Sequence, residues 1–176
     1  MSTGTVGEVG NTGEARARIA APARTVWALV ADVTRMGEWS PETTSCGWID
    51  GATGPAVGAR FRGHNKRGWS KWTTTCEVTA CEPGREFSFV VGGGDDPQTV
   101  WSYVFVPLKG GVEVRESFEL IAPLTGLDRA LTRVLARVKD READLEDQMR
   151  RTLARLKEAS EASSRAGSPP AGRPRA

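Results

Sequence analysis

With 176 residues, the chain is long enough for one domain with a full core. Its 24 Lys and Arg against 22 Asp and Glu leave a net charge of +2, too small a field to draw nucleic acid or an acidic membrane. The three cysteines lack metal-ligand spacing and are odd in number, and no apolar run approaches the roughly 20 residues of a membrane span.

In chain order, residues 1–13 are rich in Gly, Ser and Thr and read as a disordered leader without the layout of a signal peptide. Ala15–Ala20 is a short candidate strand. Pro22 then opens a short helix in which Val26, Leu29, Val30 and Val33 share a face beside Trp27. Thr34 restarts a second short helix, which Trp39-Ser40-Pro41 stops, because the residue before proline is pushed out of the α region.

From Thr43 onward the pattern is strands and turns. Thr44–Asp50 is short and shows no clear alternation, and Gly51–Gly58 is a loop by composition. In Ala59–Asn65, Phe61, Gly63 and Asn65 share one face, and Arg60, Arg62 and His64 the other. Ser70–Cys81 puts Trp72, Thr74, Cys76, Val78 and Ala80 inward. Arg85–Val91 contributes Phe87, Phe89 and Val91, and Gln98–Val106 contributes Trp101, Tyr103 and Phe105. Lys109-Gly110-Gly111 turns into Val112–Ile121, whose inner set is Val112, Val114, Glu116, Phe118 and Leu120. Successive strands with short turns make an antiparallel meander.

Thr125 to about Glu158 is one long amphipathic helix, with Leu127, Leu131, Val134, Leu135, Val138, Leu145, Met149, Leu153 and Leu156 on its apolar stripe. Thr125 and Asp128 resemble a capping box at its start. Beyond Ser160, Ser, Pro and Gly dominate and a disordered tail is expected. The fold class is therefore α+β: about seven antiparallel strands in a curved sheet around a long C-terminal helix, with two short helices after strand 1. Residues 14–160 form the single domain, followed by a tail over 161–176.

The inner face concentrates Trp72, Phe87, Phe89, Trp101, Tyr103, Phe105 and Phe118, the lining expected of a small-molecule pocket. Glu116 falls among Val114, Phe118 and Leu120, where a carboxyl must be paired, protonated or beside a wet cavity. Its expected polar neighbours are Thr74, Asn65 and Tyr103. His64, the one histidine, points outward and reads as a surface residue. Cys76 reads as a small core residue and Cys81 as an exposed strand end. Gly92-Gly93-Gly94-Asp95 is a turn, since no Gly-Lys-Ser/Thr follows it. The Arg-rich face of the long helix alternates with acids, the pattern of a solvated face.

The segments IAAPARTVWALVADVTRMGEWSP (19–41), VGARFRGHNKRGWSKWTTTCEV (57–78), WSYVF (101–105), VEVRESFEL (112–120) and MRRTLARLKEASE (149–161) together resemble the helix-grip fold of the START and Bet v 1-like (SRPBCC) superfamily. The resemblance is to its bacterial polyketide cyclase/dehydrase-like branch. It implies a cavity between the sheet and the last helix, walled by Trp72, Thr74, Phe87, Phe89, Trp101, Tyr103, Glu116 and Phe118. Leu127, Leu131, Leu135 and Val138 would form its roof, and Trp39 and the Gly51–Gly58 loop its entrance. Cyclases of the superfamily use pocket Arg and Tyr, whereas Arg60, Arg62 and Arg115 fall on the outer face here. The expected function is therefore binding of a small hydrophobic molecule, such as a lipid, a fatty acyl group or a polyketide-like aromatic, in a cytoplasmic monomer or weak homodimer. No metal, cofactor, nucleic acid or membrane insertion is expected. The alternatives are a cyclase or dehydratase using Tyr103 and Glu116, and a protein-interaction module with a filled interior.

Overall fold

The computed structural model describes residues 12–92, 98–121 and 141–166. Strand β1 (Thr12–Ile19) is followed by helix α1 (Ala23–Ala31) and a 3-10 helix (Val33–Glu38). Strands β2 (Thr43–Ile49), β3 (Arg60–Arg67), β4 (Ser70–Glu82), β5 (Glu86–Val91), β6 (Thr99–Leu108) and β7 (Gly111–Leu120) come next, and helix α2 (Arg141–Ala166) closes the described chain. The strands form one antiparallel sheet in the order β1-β7-β6-β5-β4-β3-β2. This is an α+β helix-grip arrangement. The sequence-derived roof residues Leu127, Leu131, Leu135 and Val138, and the capping box at Thr125, lie outside the described residues.

Local chemistry explains the start of the chain. Pro22 supplies an extended N-cap for α1, and the Asp32 carboxylate accepts from the Thr34 backbone N–H at 3.2 Å to begin the 3-10 helix. Strand β1 begins at Thr12, three residues before the expected strand. Its pairing with β7 places Gly13 opposite Phe118, where a Cβ would stand 2.5 Å from the ring. That glycine lets the aromatic lie flat against the neighbouring strand.

Two bulges separate the observed faces from a simple alternation. In β4, Val78 pairs with Phe89 but Ala80 pairs with Ser88, which leaves Thr79 as the extra residue. The faces then exchange, so Ala80 leaves the inner set and Cys81 stands opposite Phe87, half-buried and packed on the core. Cys81 is thus not an exposed strand end. In β2, a shift between Thr43 and Ser45 leaves Thr44 unpaired, its hydroxyl donating to the His64 carbonyl at 2.9 Å. Past it the register is unbroken, but Cys46, Gly47, Trp48 and Ile49 are all half-buried, so neither face of β2 stands out.

The dense part of the core lies where α1, β5–β7 and the C-terminal half of α2 meet. Val26, Phe87, Val112, Val114 and Leu156 have no measurable exposure there. Trp27 Nε1 donates to the Glu86 carbonyl at 2.8 Å and locks α1 to the sheet. Helix α2 buries Met149, Leu153 and Leu156 at helical spacing. It continues to Ala166, past the expected end near Glu158. Lys157 Nζ donates to the Arg18 carbonyl at 2.8 Å, and Glu161 accepts from the Ala20 N–H at 3.0 Å, so contacts with the end of β1 hold the last turns. Ser160, fully buried, returns its hydroxyl to the Leu156 carbonyl at 2.7 Å and needs no outside partner.

Candidate functional site: a cavity under the N-terminal half of the last helix

A cavity of about 170 Å³ lies beside the dense core, between the concave sheet and residues 145–152 of α2. The β4–β6 and β7 alternation brings Trp72, Thr74, Phe89, Trp101, Tyr103, Glu116 and Phe118 onto its wall. The inward stripe of α2 supplies Leu145 and Met149. Trp101 and Phe118, opposite each other across the β6–β7 pair, have ring centroids 5.6 Å apart and tilted by 42°. Phe61 and Phe89 meet edge-to-face at 5.1 Å.

Phe87 is fully buried but does not line the space. Trp39 is also not an entrance residue: it is 2% exposed and absent from the lining, and Arg35 lies 5.7 Å from its ring centroid. At the C-terminus of the 3-10 helix its large apolar ring turns into the core, and the residues that follow, Ser40–Thr43, line the cavity instead. The loop 51–58 is not part of the lining either; Gly58 N–H donates to the Val78 carbonyl, which holds the loop against β4.

Sequence reasoning did not assign Met36, Ser40, Pro41, Glu42, Cys46, Gln148 and Thr152 to the wall. Half-burial of both faces of β2 conceals Cys46, whereas Leu145 and Met149 are visible in the helical stripe. No Lys, Arg or His lines the cavity among the described residues. Arg60 pairs with Asp50 at 2.6 Å, Arg115 with Glu113 at 2.9 Å, and Arg62 is exposed.

Two hydrogen-bonded groups of polar side chains lie inside, and a third is centred on Arg67 and Asp144, which stand outside the lining. Tyr103 and Glu116 stand opposite each other on β6 and β7, and the phenol donates to Glu116 Oε1 at 2.8 Å. Asn65 and Thr74 are not partners of Glu116. Asn65 accepts from the Thr43 hydroxyl at 3.0 Å and donates to Thr74 Oγ1 at 3.2 Å. The third group is a latch: Arg67, ending β3, donates two hydrogen bonds to Asp144 of α2, at 2.8 and 2.5 Å, and stands 3.3 Å from Glu42. Gln148 also donates to Asp144, at 2.8 Å.

Burial governs the electrostatics. Glu116 is 3% exposed, and loss of water pushes its carboxyl up to about 8 despite the opposing Tyr103 hydrogen bond. Tyr103 is held well above its ordinary value by burial and by the Glu116 charge. Below pH 8 the pair is therefore a phenol hydrogen-bonded to a neutral carboxylic acid. Burial also raises Glu42, against the pull of Arg67, and takes Cys46 to about 11 and Cys76 to about 12, so both thiols stay protonated and unreactive. His64, its Nδ1 3.3 Å from the Thr73 hydroxyl, sits on the exposed face. Among the described residues, no group of three His, Cys, Asp or Glu could hold a metal ion.

Residues 12–161 match the family model described as polyketide cyclase/dehydrase and lipid transport. The chain belongs to this family. Its fold recurs in protein NE0264 of Nitrosomonas europaea, with a TM-score of 0.64 at 11% identity over 89% of this chain and 97% of that one. An AHSA1-like protein of Aeromonas hydrophila superposes at 0.58 with 22% identity, over 86% and 93% of the two chains. The Polyketide_cyc-like protein Cgl2372 of Corynebacterium glutamicum is 35% identical over 91% of this chain and 93% of its own, with a TM-score of 0.49. No curated protein matches the sequence significantly. Family membership brings ligand binding and cyclase chemistry into view without choosing between them.

Proposed function

We propose that the chain binds a small, largely apolar molecule in the cavity between the sheet and α2, acting in the cytoplasm as a monomer or weak homodimer. The observation that carries this reading is unfilled space of about 170 Å³ walled by aromatic and aliphatic side chains, with a few fixed polar groups inside. That space also disfavours an interaction module whose interior is filled by side chains. No helix among the described residues is long and apolar enough to cross a membrane. The test is native mass spectrometry of freshly purified protein, with identification of what leaves on denaturation. A bound apolar molecule, lost in Phe118→Arg, supports the reading; a bound molecule retained at the same level in that variant contradicts it.

A second reading, a cyclase or dehydratase, draws on one observation: the neutral Glu116 carboxyl, hydrogen-bonded to Tyr103, is a proton donor inside the cavity. Such an acid can protonate a leaving hydroxyl, which departs as water while the neighbouring C–H bond supplies the electron pair of the new double bond and its proton returns to the Glu116 carboxylate. Binding remains the better-supported function, because among the described residues no cationic group faces the cavity to steady a developing enolate. Turnover of a polyketide-like substrate that disappears in Glu116→Gln and Tyr103→Phe, with binding retained, would favour the enzyme.

A further inference from the structure

The hydrogen bonds inside the cavity are nearly all made within the protein. Asn65 is engaged at both ends of its amide by Thr43 and Thr74, Ser40 Oγ accepts from the Thr43 N–H, and Gln148 is engaged by Asp144. Glu42 Oε1 lacks a hydrogen bond but faces Arg67 at 3.3 Å. Glu116 Oε2 is different: it is buried, and among the described residues it has no hydrogen-bond partner and no charged side chain to compensate it. Its sister oxygen is already taken by Tyr103, and its flanks are apolar: Phe118 and Val114 on the same face of β7, and Ala15 opposite on β1. A buried polar atom left over beside a cavity is a place for a ligand atom.

The geometry points to a ligand class: an uncharged molecule with a flat apolar body and a carbonyl oxygen, held by the carboxyl O–H of Glu116. This rests on the cavity being the ligand site. The flat body follows from the walls, since Trp101, Phe118, Phe89 and Trp72 present ring faces and edges. Its size follows from the volume, close to the roughly 150 Å³ of an engineered cavity that takes up benzene. One or two fused rings, or a short acyl chain, fill such a space. The charge selection follows from Glu116 itself. Its proton, retained below pH 8 by burial, is a donor that only an acceptor satisfies. A ligand carboxylate would be desolvated next to a group that ionises into a like charge, with no cation on the described wall. A free fatty acid anion is therefore a poor occupant, and a ketone or ester is a good one.

Three probes of nearly one shape separate these terms: 2-acetylnaphthalene, 2-isopropenylnaphthalene, in which a methylene replaces the carbonyl oxygen, and 2-naphthoate. Binding is followed at pH 6.5 by the fluorescence of Trp72 and Trp101 on the wall. The ketone is expected to bind about ten- to a hundredfold more tightly than the alkene, the range set by leaving one buried donor unmet. The carboxylate is expected to bind at least about tenfold more weakly than the ketone. Glu116→Gln, whose amide N–H still donates, keeps the ketone preference. Glu116→Met loses it. In the unmodified protein the preference also fades between pH 7 and pH 9, while in Glu116→Gln it does not; this comparison stands even if the methionine variant folds poorly. Tyr103, Glu42, Cys46 and Cys76 are the other titratable groups facing the cavity among the described residues, and they are common to both proteins. Equal affinity for ketone and alkene, or a preference for naphthoate, overturns the inference and leaves the cavity reading standing. Failure of all three probes to bind overturns both.

Discussion

Replacing Glu116 by Gln should stabilise the protein, and increasingly so as pH rises. The unfolded-state carboxyl titrates near 4.5 and the buried one near 8. Between these values the folded protein holds a proton that the unfolded chain has released. Stability from this group is therefore fully present below pH 4.5 and is lost progressively as pH climbs toward 8. Each pH unit corresponds to about 1.4 kcal/mol, so the loss between pH 5 and pH 7.5 is about 3 kcal/mol. Gln is close to isosteric with the neutral acid, can accept from Tyr103 in the same way, and has no proton to lose. The assay is urea denaturation of both proteins at pH 5, 6 and 7.5, with comparable m-values required before stabilities are compared. The difference isolates Glu116 from the other acids, including Glu38, Glu113 and Glu161, which are lowered by their hydrogen-bonding partners. The variant should gain about 3 kcal/mol relative to the parent across this range. Parallel stability–pH curves would refute the assignment of a neutral buried acid at position 116.

Gly111→Ala should destabilise strongly, by more than about 2 kcal/mol in thermal or urea unfolding, because a Cβ there would stand 2.1 Å from the Ile19 carbonyl oxygen at the β1–β7 junction. Gly13→Ala should cost about 1–3 kcal/mol, since the new methyl meets the Phe118 ring, and it should also weaken 2-acetylnaphthalene binding by displacing that wall. Arg67→Ala breaks the link between β3 and α2. Because its side chain is 30% exposed, the stability loss should be modest, about 1 kcal/mol, and stopped-flow fluorescence should show faster release of bound probe. Trp101→Ala should lower probe affinity at least about tenfold while leaving the far-ultraviolet circular dichroism unchanged, as expected for a half-buried wall residue with one large contact face.

The elements most legible in the sequence were those with uninterrupted periodicity. The β6–β7 hairpin has an unbroken register about its Lys109-Gly110-Gly111 turn, so counting alternate residues was enough to put Tyr103 and Glu116 on one inner face. The stripe Met149, Leu153, Leu156 likewise marked the buried face of α2. Where an extra residue enters a strand, a period of two fails, which is why Cys81 reads as an exposed strand end; β2 has no readable faces because both are half-buried. Trp39 misled for another reason. A Trp two residues before a proline suits a rim as well as a core, and only the 3-10 turn before it decides where the ring goes. The end of α2 was invisible because Ser160 and Ser163 are poor helix formers by composition, whereas the clamp by Lys157 and Glu161 depends on β1, some 140 residues earlier.

The measurement that tests the central claim most directly is a methionine-methyl ¹³C NMR titration with 2-acetylnaphthalene. The chain has three methionines, which keeps the spectrum sparse, and two of them line the cavity: Met36 from the 3-10 helix and Met149 from α2. Bound between them, an aromatic probe should shift both methyl resonances by its ring current in one saturable transition, and Phe118→Arg should abolish those shifts. Shifts absent from Met36 and Met149 while the probe binds, or shifts unchanged in Phe118→Arg, would place the ligand elsewhere and contradict the account.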